Sequence, residues 1–267
     1  MNFNKKSSPG FFTPFELGLL LIIAVLTVIC QSYLTRYLFP GGDISVFVYN
    51  TLNLPGPGSG VFLFGSIQIF WMILAVLIIK KPWTAIALSI ITIALNLLIA
   101  EELNLSTLDV IFFIAIIIEA LPYLKTGLKS LKYILPTILI ILSIMTLAVL
   151  VTGNAKMGES GEPVMQFPFG YTIFCLLGLL LSVICFFYPL KVVFAGGIAN
   201  IYYAIHIWLF WGGDGIATRF PVSYDTIPVI LLIALTSGII SSMLAICLVN
   251  IYIKILSKRK LITNNIM

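Results

Sequence analysis

The residues able to do chemistry here are a few polar side chains set inside long apolar stretches. Gln68, Asn96, Asp109, Glu119, Asn200, His206 and Asn250 all fall within such stretches, and Glu101 and Glu102 sit at the rim of one. Polar groups are costly in that setting and are functional candidates by default. Tyr202, Tyr203, Trp208 and Trp211 share a stretch with Asn200 and His206, and Trp71 follows Gln68. An apolar and aromatic wall with few polar anchors is the usual make-up of a small-molecule site. Gln68, Trp71, Asn96, Asn200, Tyr203 and His206 are therefore the expected substrate-binding set.

Each of these has a plainer reading. Gln68 and Asn96 could be hydrogen-bond glue between helices, worth about 1 kcal/mol or less. Trp208 and Trp211 suit an interfacial aromatic belt. His206 suits a satisfied structural role. Glu119 could snorkel or pair with Lys125, and Glu101 and Glu102 could form a solvated rim. His206 is the sole histidine, which rules out a multi-histidine metal site. Cys30, Cys175, Cys185 and Cys247 lie in apolar runs with no CxxC, so they read as small buried hydrophobes. No metal and no cofactor is expected.

An enzyme is the weakest alternative. Gly58-Ser59-Gly60 before a helix resembles the serine loop of rhomboid proteases, with His206 as a base. Ser59 stands at a loop–helix boundary, prolines crowd the glycine, and the context AIHIW lacks small residues that would let the two helices meet. No HExxH, paired aspartates or Cys/His dyad is present.

The elements that must carry these groups are set by composition. Of 267 residues, 60% are apolar and 9% charged, with a mean hydropathy of +1.13. Soluble domains carry roughly 25% charge. The solvent of this chain must be largely lipid, and long apolar segments cross lipid as helices. The expected fold is all-α, a polytopic transmembrane helical bundle. Eight spans are expected, near 14–36, 60–80, 83–100, 107–124, 132–152, 168–189, 192–212 and 226–255. Residues 1–13 and 256–267 are then tails flanking a membrane domain at 14–255. The first apolar run exceeds the roughly 7–15 residues of a signal peptide's apolar region, and no A-x-A site follows it. It is expected as a retained span.

Charge orients the bundle. With the N-terminus inside, the inner segments hold Lys5, Lys6, Lys80, Lys81, Lys125, Lys129, Lys132, Lys191, Lys254, Lys258, Arg259 and Lys260. Only Arg36, Lys156 and Arg219 fall outside. That asymmetry predicts N-in and C-in. It also accounts for the net charge of +5 without nucleic acid, for which no binding pattern exists. The inner connections are short. The outer ones, 37–59, 153–167 and 213–225, are longer and rich in turn residues. The loop Pro55, Gly56, Pro57, Gly58, Ser59 and Gly60 runs into the second span and is the expected lid. There is no nucleotide-binding domain or phosphate loop, so any ATP would be hydrolysed by a partner.

Small residues mark where helices touch. Ala195, Gly196, Ala199 and Asn200 permit close approach, as do Ser237, Gly238, Ser241 and Ser242. Both are packing signals first, and either could equally dock a membrane partner.

Residues 54–100 carry a family resemblance. A PGPGSG turn leads into an apolar helix ending Lys-Lys-Pro, then TAIALSIITIALNLLI, and KVVFAGGIANIYYAIHIW follows Pro189. This resembles the membrane substrate-binding subunits (S components) of energy-coupling-factor vitamin transporters, those for thiamine and its pyrimidine precursor above all. The resemblance implies a first outer loop capping a vitamin-like solute, with the Pro55–Gly60 loop, Gln68 and Trp71 at the site. It also implies partners: a transmembrane coupling subunit and cytoplasmic ATPases, in a cell membrane. The other expectation is a membrane assembly or scaffold subunit that binds no ligand.

Overall fold

The chain enters its first helix through a capping box. Thr13 Oγ1 accepts from the Glu16 N–H at 3.3 Å, and the Thr13 N–H donates to Glu16 Oε2 at 2.6 Å. Pro14 occupies the first helical position, where its missing N–H costs nothing. This computed structural model describes residues 11–31, 61–99, 105–120, 128–153, 169–187, 191–210 and 227–264. Among the described residues there are eight α-helices and no strand. They are α1 (Pro14–Ile29), α2 (Ser66–Ile79), α3 (Thr84–Ile99), α4 (Leu105–Ala120), α5 (Leu128–Gly153), α6 (Phe169–Phe187), α7 (Lys191–Phe210) and α8 (Ile227–Asn264). A π-turn, Val61–Gly65, leads into α2. The residues expected as a basic tail, 256–267, continue α8 helically as far as Asn264.

Among the described residues, four segments are long and apolar enough to cross a membrane, Val61–Ile79, Lys132–Val151, Gly170–Phe187 and Ile227–Ile255, and Pro14–Ile29, Thr84–Leu98 and Val110–Ala120 are shorter apolar helices. The polarity of the packing agrees with a lipid solvent. Thr146 and Ser143 of α5 are 0% and 1% exposed, while Val151 of the same helix and Leu176 of α6 are 70% and 63% exposed. Polar groups face in and branched apolar groups face out, the reverse of a water-soluble surface. Pro136 lies inside α5, and the Thr137 hydroxyl donates to the Tyr133 carbonyl at 2.6 Å.

The helices pack as two groups that share α8. One core draws on α1, α2, α3, α4 and α7, and the other on α5 and α6 with Val193 of α7. From α8, Ile230, Ala234, Ala245 and Val249 face the first core, and Val229, Leu232, Ile233 and Ile239 the second. A helix that is apolar all round belongs in the middle. α7 packs most extensively on α8, and α5 on α6. The two small-residue stripes meet in the α7–α8 contact, where Gly196 lies against Gly238 and Ser242.

The turn from α2 to α3 is tight. Lys80 and Trp83 both adopt positive φ, 57° and 69°, conformations that cost an L-residue roughly 1–2 kcal/mol. Glu119 of α4 braces this turn, accepting from the Trp83 N–H at 2.8 Å and the Ala85 N–H at 2.9 Å. The first N–H groups of any helix lack intrahelical partners, and here a carboxylate from another helix supplies them. Lys81 meets Glu16 at 2.6 Å and so ties the same turn to the start of α1. The expected partner of Glu119, Lys125, lies outside the described residues.

Candidate functional site

α7 and α8 meet through glycine. A Cβ on Gly238 would clash with the Gly196 carbonyl, and one on Gly196 would clash with the Ser242 hydroxyl. This close approach delivers Asn200, one turn along α7, to the junction of three helices. Its Nδ2 donates to the Ala234 carbonyl at 2.9 Å and to Ser237 Oγ at 2.8 Å, both on α8. It also reaches the Val61 carbonyl of the π-turn at 3.4 Å. The carbonyl acceptors at Ala234 and Val61 fix which way round the amide sits, since its oxygen could not face them.

The other side of the Asn200 amide faces Gly65. A Cβ at Gly65 would collide with Asn200 Oδ1 and with the Tyr203 ring, so this position on α2 has room only for glycine. Asn200 Oδ1 is buried and accepts no hydrogen bond. Two more polar atoms nearby in sequence share that condition, Ser66 Oγ and Gln68 Nε2. Gln68 is 0% exposed, and its Oε1 accepts from Gln31 Nε2 at 2.8 Å. Turning both amides around would keep that bond and leave the Gln68 oxygen unpaired instead, so one half of the Gln68 amide is unsatisfied either way. An unpaired buried polar group costs about 1–3 kcal/mol. Such groups call for a water or a ligand.

The expected site residues divide accordingly. Asn200 and Tyr203 converge on Gly65, and Gln68 follows one turn along α2. His206 stands nearly two turns further along α7, buried, with Nδ1 3.3 Å from the Tyr202 hydroxyl. Tyr202 in turn packs its ring on Phe113 of α4 at 5.8 Å. Trp71 is half-buried and meets Phe70 edge to face at 5.1 Å. Asn96 is half-buried near the end of α3. The lid residues Pro55, Gly56, Pro57, Gly58, Ser59 and Gly60 lie outside the described residues, as do Glu101, Glu102 and Trp211. Cys175 and Cys185 are buried as expected, but Cys247 is exposed and Cys30 half-buried.

Sequence reasoning passed over Gln31, Ser66 and Gly65. Gln31 met the same test that singled out Gln68, an amide inside an apolar run. Gly65 had no such signal, because a glycine declares a close approach only when the approaching residue is known.

The arrangement can recognise a small neutral group. It offers one unpaired amide donor, one unpaired amide acceptor and an aromatic wall at Tyr203, with no charged side chain in the contacts around Asn200 and Gly65. No family model matches the chain, and neither a curated protein nor a solved structure matches it.

Proposed function

We propose that this chain is a multi-pass cell-membrane protein of about eight spans, N-in and C-in, that binds a small heterocyclic solute for uptake. It acts as a substrate-binding or permease subunit and leaves ATP hydrolysis to separate subunits. The observation that carries this reading is two buried, half-satisfied amides, Asn200 against Gly65 and Gln68 one turn along α2. Eight helices and the one-sided distribution of lysine and arginine support the topology. The turn and helix sequences over 54–100 support an S-component-like role, with a coupling subunit and ATPases as partners. The solute would present an acceptor to the Gln68 donor and a donor to Asn200, with a flat face toward Tyr203.

Thermal unfolding of the purified protein against a panel of vitamins and heterocycles tests this. A ligand at a hundred times its Kd stabilises by about 2.7 kcal/mol, a clear shift in Tm. Gln68→Leu should abolish the shift and His206→Ala should weaken it. No shift with any compound would remove the reading. A second reading, an assembly subunit without ligand, is supported by the Asn200 donors, which are spent on α8. A flat response together with a stoichiometric co-purifying membrane subunit would favour it.

A further inference from the structure

The C-terminal half of α8 carries a feature that the solute site does not use. Among the described side chains, Val249 is the last buried one on this helix. Asn250, Ile251, Tyr252, Ile253, Lys254 and Ile255 that follow are all exposed. The helix runs on to Asn264, about 22 Å beyond Val249 at 1.5 Å per residue. Exposure on consecutive residues means exposure on every side, so α8 leaves the bundle over residues 250–255 with a mostly apolar surface.

One face of this protruding region holds a groove of about 350 Å³, lined by Met243, Ile246, Cys247, Asn250, Ile251 and Lys254. The spacing is that of a single helical stripe. Apolar groups occupy most of it, and a cation and an amide stand toward its C-terminal end. The Lys254 ammonium makes no ion pair among the described residues. From residue 226 to the C-terminus the sequence has Lys254, Lys258, Arg259 and Lys260 and no aspartate or glutamate.

We propose that this groove is a selective site for an anionic phospholipid. An acyl chain lies along Met243, Ile246, Cys247 and Ile251, and the phosphate sits at Lys254, with Asn250 as a second donor. Charge complementarity argues for it: four cations with no acid nearby form a field that attracts an anionic headgroup. The all-round exposure of residues 251–255 favours lipid over a partner helix, which would cover one side only. Tyr252 suits the same level, since tyrosine is enriched at the membrane interface. This inference does not depend on whether the Asn200 junction holds a solute.

Native mass spectrometry of the full chain, with phosphatidylglycerol and phosphatidylcholine supplied in equal amounts, tests it. The protein should retain phosphatidylglycerol over phosphatidylcholine. K254Q should cut that preference about fivefold, the factor expected for losing one cation at a lipid surface. C247W should fill the groove and lower retention of phosphatidylglycerol. Both substitutions are on exposed positions, and the comparison of the two lipids on the wild-type chain needs neither. Equal retention of the two lipids would overturn the proposal. So would a preference that survives K254Q and C247W but vanishes when Lys258, Arg259 and Lys260 are all replaced by glutamine, because the headgroup would then sit on the end of the helix instead. A photo-crosslinker at position 251 that captures a protein and no lipid in native membranes would also overturn it, with a partner helix as the occupant.

Discussion

Two regions of this bundle bury a polar side chain where helices meet, and they do so differently. At the α2–α3 turn, both oxygens of Glu119 accept backbone N–H groups, from Trp83 and Ala85. At the α7–α8 junction beside Gly65, the Asn200 donors are used but its oxygen is not, and one turn along α2 Gln68, paired with Gln31, is satisfied on one side only. The Glu119 region is closed: it joins α4 to a turn whose own backbone is held at positive φ. The junction is open: its polar capacity exceeds what the protein itself consumes. A buried polar group in a bundle is thus not one kind of evidence. What separates structural from recognition roles is whether every donor and acceptor is spent.

Substitutions can break or sharpen that contrast. The largest effect is expected at Glu119. Glu119→Ala leaves two helix-start N–H groups without their charged acceptor, and hydrogen bonds to charged groups contribute about 1.5–3 kcal/mol each. A loss of about 3 kcal/mol in unfolding free energy, with no change in affinity for any solute found, is the expected result. Glu119→Gln keeps an acceptor and should lose about half as much. If neither variant lowers stability, the closed description of that turn is wrong.

Gly238→Ala comes next. Its Cβ would press on the Gly196 backbone, which cannot rotate away, so about 2–3 kcal/mol of destabilisation is expected. Denaturant titration in detergent reads it directly. Because Asn200 is delivered by this crossing, the variant should also weaken solute binding, linking the seam to the open junction.

Asn200→Ala should cost about 1 kcal/mol, in line with interhelical hydrogen bonds in membranes. The loss is modest because its oxygen contributes no hydrogen bond to begin with. A loss above about 3 kcal/mol would show the junction to be a closed structural clamp like the Glu119 turn. The smallest stability change is expected for Gln68→Leu, within about 0.5 kcal/mol, because it removes an unpaired amide atom along with one hydrogen bond. The same variant should have the largest effect on ligand-induced Tm shifts. Equal shifts in wild type and Gln68→Leu would put the solute elsewhere.

Much of this was legible in the residues. Apolar length and the scarcity of charge require helices, and the small residues Ala195, Gly196 and Ala199, and Ser237, Gly238 and Ser241, marked faces of close approach without saying what approaches them. These are local patterns, and local patterns survive in any arrangement that buries them. The partners of individual polar atoms were not legible. That Glu119 accepts from the Trp83 and Ala85 N–H groups at the start of α3 could not be read from its own segment. Gln31 and Gln68, far apart in sequence, meet because packing turns α1 and α2 to that face.

The sequence by itself determined the helical class and the apolar character of its long segments, since each depends on composition within a window of some twenty residues. Only the tertiary structure decided which polar groups are spent and which remain open. Hydrogen-bond satisfaction depends on the rotation and separation of whole helices, and those are set by the glycine contact of α7 with α8 and by the apolar surface around α8, not by any residue that makes the bond.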